Sequence, residues 1–94
     1  MDHSFKATAR ESLKELEREE AEEIVELIEG VAKEGFNHNN VKMIKDRNGD
    51  WVYRLKVDGE NTNHRVFLDY IEGEIKVLDV LHRSIAYEDE YGNG

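Results

Sequence analysis

Trp51-Val52-Tyr53-Arg54-Leu55-Lys56-Val57 alternates strictly, with Trp51, Tyr53, Leu55 and Val57 on one side and Val52, Arg54 and Lys56 on the other. A period of two marks a strand, because successive side chains point to opposite faces of a sheet. His64-Arg65-Val66-Phe67-Leu68-Asp69-Tyr70 alternates as well, setting Val66, Leu68 and Tyr70 against Arg65, Phe67 and Asp69. The polar stretch from Asp58 to Asn63 reads as the turn between them. A hairpin with Val57 opposite His64 sets Lys56 against Arg65 on one face. Like charges directly opposite destabilise a strand pair by roughly tenths of a kcal/mol. An anion in the gap relieves this, and so does Asp69 on the same face. Two readings of these cations stay open: a phosphate or RNA site, and an ordinary exposed sheet face whose ion pairs weigh little.

Working outward, Glu72-Gly73-Glu74 makes a further turn. Ile75 to Leu81 is apolar on both faces except at Lys76 and Asp79, which predicts a central strand. Upstream, Val41 to Lys45 reads as a strand joined to Trp51 through Arg47-Asn48-Gly49-Asp50, and Asn-Gly is a strong hairpin signal. Ile24, Leu27, Ile28 and Val31 recur at i, i+3, i+4 and i+7, the spacing of an amphipathic helix that Gly35 is suited to end. Gly30 lowers the stability of that helix. Thr8-Ala9-Arg10-Glu11 has the form of a capping box and predicts a helix start at Thr8. Leu13 and Leu16 give this first helix a narrow apolar stripe, and a break is expected near Arg18–Glu20. His3 to Ala7 fits a short first strand with Phe5 inward. The fold class predicted is α+β, an N-terminal helical hairpin packed on a small antiparallel β-sheet. Residues 1–87 form the single domain, and 88–94 an acidic, mobile tail.

Ninety-four residues allow one domain with a modest core. The chain has no cysteine, which excludes disulfides and Cys-based zinc sites and points to a reducing compartment. No apolar run approaches the ~18 residues of a membrane span. Met1-Asp2-His3-Ser4 has neither the basic nor the apolar region of a signal peptide, so a cytoplasmic location is expected. The net charge of −9 argues by itself against a polyanionic partner. Its distribution says more: the acid excess lies in residues 1–40 and in the tail, whereas residues 41–87 carry eight basic and eight acidic side chains. The middle of the chain can therefore hold a local cationic site. An acidic helical surface also suits a salt-adapted cell. His3, His38, His64 and His82 show no metal-ligand spacing. There is no glycine-rich phosphate loop and no nucleophile elbow at Ser4, Ser12 or Ser84.

Tyr53-Arg54-Leu55-Lys56-Val57, then Arg65-Val66-Phe67, then Ile75 to Leu81 running into His82-Arg83-x-x-x-Tyr87, resembles the RelE/ParE superfamily of bacterial and archaeal toxins. The resemblance extends over nearly the whole chain. It implies the toxin component of a toxin-antitoxin system: a ribosome-dependent mRNA endoribonuclease that blocks translation and is held in check by a cognate antitoxin. In that family the ribose 2′-hydroxyl attacks the adjacent phosphate without metal or cofactor. Carried over by position, Arg65 grips the phosphate and Lys56 supports the attacking side as charge or base. His82 donates a proton with Arg83 assisting, Tyr87 orients the nucleotide, and Arg54 contributes to RNA binding. Partners implied are the antitoxin, the ribosome and mRNA, with no membrane and no metal. The alternatives are a ParE-like gyrase inhibitor and a catalytically inactive binding module of the same fold.

Overall fold

A computed structural model describes residues 2–59 and 62–86. The elements run β1 (Asp2–Phe5), α1 (Ala7–Lys14), α2 (Arg18–Glu34), β2 (Val41–Lys45), β3 (Trp51–Asp58), β4 (Asn63–Ile71) and β5 (Glu74–His82). They build one five-stranded sheet in the order β1-β5-β4-β3-β2.

Helices and sheet are both present, but the architecture differs from the predicted hairpin on an antiparallel sheet. The sheet is mixed, because β1 runs parallel to β5, with Phe5 beside Val77. Four residues are too few for an alternation that reveals direction. The helices do not form a hairpin either: α1 packs chiefly on β5, whereas α2 packs on β1 and β3. The reason is the size of α1, whose eight residues bury only Ala9 fully, so its apolar stripe is spent on the sheet. The break falls at Glu15–Glu17, ahead of the expected Arg18–Glu20.

The capping box does not form. The N-cap of α1 is Lys6, with no side-chain hydrogen bond. Thr8 Oγ1 instead donates to the Leu78 carbonyl at 2.8 Å. That carbonyl is available because β5 bulges: Leu68 pairs with Val77 while Phe67 pairs with Asp79, which leaves Leu78 without a partner residue in β4. The longer helix is as its spacing predicts, with Ile24, Ile28 and Val31 fully buried. It ends at Gly35, whose φ of 86° is a conformation that side chains disfavour.

Alternation gives the sheet two faces. Leu55, Val57, Val66, Leu68, Ile75, Val77 and Val80 pack with the helices into the main core. On the other, helix-free face, which no helix among the described residues covers, Ile44, Val52, Phe67 and Ala86 form a second buried cluster, with Leu78 and Leu81 against it. At the far end of the helix side, Phe36 stacks on Tyr53, ring centroids 3.9 Å apart. Glu72 and Gly73 link β4 to β5, with φ of 52° and 79° as a two-residue hairpin turn of type I′ requires.

Candidate functional site

The strand register sets the site. Val57 stands opposite His64 and Lys56 opposite Arg65, the register supposed from the sequence. Arg54, Lys56 and Asp58 are every second residue of β3 and share the helix-free face with Arg65, which lies one position from buried Phe67 in that face's row. The next row of the sheet runs Asp58, Asn63, Arg83. Asp58 pairs with Asn63, and the Arg83 N–H donates to the Asn63 carbonyl at 2.9 Å. Arg83 extends the alternation of Leu81 by one step past the end of β5, so it falls on the face of Arg65. One corner of the helix-free face thus gathers Lys56, Asp58, Asn63, Arg65 and Arg83, with Arg54 further along β3.

Asp58 relieves the repulsion between the facing cations, rather than Asp69. Arg65 Nη1 donates to Asp58 Oδ1 at 2.9 Å and to the His64 carbonyl at 3.0 Å. Lys56 Nζ lies 3.5 Å from Asp58 Oδ2. The Arg65 side chain is 10% exposed and that of Lys56 50%, so Arg65 is anchored while Lys56, though paired with Asp58, faces solvent. The hydrogen bond from Arg65, seconded by the charges of Arg65 and Lys56, outweighs burial and holds the Asp58 carboxyl below its ordinary range. The signal for Asp58 was present in the sequence, two residues beyond Lys56 on the same strand face.

His82 is not in this corner. It pairs with His64, the two rings meeting edge to face with centroids 5.4 Å apart. Both belong to the helix side, in an open cleft of about 320 Å³ lined also by Ser12, Leu16 and Val80. His82 Nδ1 accepts the Ser84 N–H at 3.2 Å and lies 2.9 Å from Ser84 Oγ. His64 is buried, with Nδ1 against Thr62 Oγ1 and 4.0 Å from Glu20 Oε2. Burial chiefly, then the neighbouring His82 and Arg65, keep the His64 pKa low, while Glu20 opposes them.

The bulge in β5 is what separates His82 from Arg65. The Glu72-Gly73 turn sets Ile71 against Glu74. Had that register continued, His82 would face Asn63 and share the side of Arg65. The extra residue at Leu78 shifts the pairing by one, which turns every later side chain over. His82 moves to the helix side and Arg83 takes the place beside the cations. Tyr87 lies outside the described residues, as does the acidic tail. Among the described residues no three His, Asp or Glu side chains converge as metal ligands do, and no helix is long and apolar enough to cross a membrane.

Comparison of the chain with protein-family models, with curated proteins and with solved structures finds no match.

Proposed function

We propose that the chain is the toxin component of a toxin-antitoxin system, a RelE-type endoribonuclease that cleaves mRNA on the ribosome and so inhibits translation. The observation that carries this reading is the corner of the helix-free face, where Lys56 and Arg65 stand opposite each other and Arg83 follows at the end of β5. Cleavage by 2′-hydroxyl attack concentrates negative charge on a phosphorane, and fixed cations are the groups that stabilise it. Arg65, anchored and little exposed, suits the phosphate oxygens through its planar donors. Arg83 and Lys56 flank it, and Arg54 extends the positive strip along the RNA backbone. No resident metal or cofactor is called for. A cognate antitoxin is the expected second partner. Met43, Trp51 and Tyr70, each about half exposed, offer apolar surface to such a chain.

A second reading, a catalytically inactive binding module, is favoured by two observations. Asp58 already neutralises Arg65 and Lys56, and His82, the proton donor that the resemblance implies, lies across the sheet.

Inducible expression of the wild type, Arg65→Ala and Arg83→Ala, with growth followed and mRNA ends mapped on ribosomes, separates these readings. Arrest with mRNA cut in the ribosomal decoding site, lost in both variants, is the expected result. Arrest with intact mRNA points to a ParE-like action on another target. A folded, well-expressed protein that leaves growth untouched points to the binding module.

A further inference from the structure

With His82 on the helix side, the cationic corner lacks the histidine assigned to proton transfer. Among the described residues, the other groups of that corner decide what replaces it. Arginine guanidinium does not deprotonate in proteins, so Arg54, Arg65 and Arg83 are charge stabilisers only. Lys56 carries a half-exposed ammonium, which donates a proton and does not accept one. Asn63 is neutral. The carboxylate of Asp58 lies 2.9 Å from Arg65 and 3.5 Å from Lys56, in the midst of the groups suited to hold the scissile phosphate.

We propose that Asp58 is the general base of this site, accepting the proton of the attacking ribose 2′-hydroxyl. This rests on the reading of the corner as an RNA-cleaving site. The 2′-oxygen forms a bond to phosphorus as its proton passes to a carboxylate oxygen of Asp58. The bond from phosphorus to the 5′-oxygen breaks, and that oxygen takes a proton from the Lys56 ammonium. The products are a 2′,3′-cyclic phosphate and a 5′-hydroxyl end. Asp58 returns its proton to solvent and Lys56 regains one, so the balance needs no further reactant.

The same geometry explains how so weak a base becomes effective. In the free protein Arg65 and Lys56 hold Asp58 ionised and unreactive. A phosphate docking on these cations competes for the donors that Asp58 uses. As those contacts pass to the phosphate, the carboxylate loses its stabilisation beside the hydroxyl that the phosphate has brought in. Substrate binding thereby raises the basicity of Asp58 at the moment of reaction.

The test is cleavage of mRNA on programmed ribosomes by the wild type, Asp58→Asn and Asp58→Ser, beside binding of an mRNA blocked by a 2′-O-methyl group at the cleaved nucleotide. Each variant should lose roughly 10²–10⁴-fold in cleavage rate, while binding of the blocked mRNA stays level or tightens because the cations have lost their internal partner. The wild-type rate should fall as pH drops into the carboxylate range, and the residual rate of the variants should lack this limb. Folded variants that cleave within about threefold of the wild type overturn the role of Asp58 and leave the site reading intact. Loss of blocked-mRNA binding along with cleavage overturns it too, since Asp58 then serves only to hold the corner together. A wild type that binds programmed ribosomes and leaves the mRNA whole overturns the site reading and this role with it.

Discussion

His82 and Arg83 are neighbours in the chain and lie on opposite sides of the sheet. His82 faces His64 on the helix side, with ring centroids 5.4 Å apart. Arg83, hydrogen-bonded through its N–H to the Asn63 carbonyl at 2.9 Å, continues the row of Asp58. The two residues should therefore separate in an activity assay. If the chain is the proposed endoribonuclease, we expect His82→Ala to keep mRNA cleavage within about twofold of the wild type and Arg83→Ala to lose ~100-fold or more, the scale on which a transition-state charge stabiliser acts. Rates of mRNA cleavage on programmed ribosomes check this, and an equal loss in both variants would return His82 to the site.

The sheet is buried on both sides, and mutation can weigh the second. Phe67 is fully buried on the face that no helix among the described residues covers, against Ile44, Val52 and Ala86. Leu55 is fully buried on the helix face. A helix-free face that is merely wetted would make Phe67→Ala mild. Because the cluster excludes water, we expect Phe67→Ala to cost ~3–5 kcal/mol, comparable with the ~2–5 kcal/mol of Leu55→Ala. Urea unfolding of the two variants measures both, and a loss below about 1 kcal/mol for Phe67→Ala would show that side to be surface.

The strand pair at the heart of the fold was legible because both strands alternate, so a one-residue slip would turn exposed Lys56 into the core beneath the helices. The pattern sets the faces of Lys56 and Arg65 but not their pairing, since a shift of two residues keeps every face; the supposed register of Val57 opposite His64 is the one found. In β5 the pattern is silent. Val77, Leu78, Val80 and Leu81 are apolar on both sides, so one more residue leaves no trace in the periodicity, and the bulge that turns over His82 and Arg83 could not be read. The direction of β1 was hidden for a related reason, since Asp2-His3-Ser4-Phe5 is too short to favour either pairing. Thr8 shows how a local signal is overridden: its hydroxyl has the spacing of a cap and finds a carbonyl seventy residues away in the sequence.

Gly30 is the clearest place to gain stability. It lies within α2, and a Cβ built there meets nothing within 4 Å. Glycine in a helix costs about 0.5–1 kcal/mol relative to alanine through the freedom of the unfolded chain. Gly30→Ala should therefore raise stability by about that amount and leave mRNA cleavage unchanged, because α2 does not reach the cationic corner. Thermal and denaturant unfolding check the gain; a loss would mean that the added methyl group is not accommodated at Gly30.

Two titrations should appear in the acid stability of the protein, in separate windows. His64 has a pKa below its unfolded value of 6.5, chiefly because burial disfavours its charged form. As pH falls below 6.5 the unfolded chain takes up this proton before the folded protein does, so its contribution is whole above 6.5, shrinks as pH drops toward the folded value, and changes no further beneath it. Asp58 also has a lowered pKa, against 3.8 when unfolded, and its contribution is whole above 3.8 and lost below. Melting temperature followed from about pH 7.5 down to about pH 3 should decline in two steps. His64→Gln should remove the upper step and keep the lower, and Asp58→Asn the reverse. If the upper step survives in His64→Gln, the burial of His64 contributes nothing to the pH response.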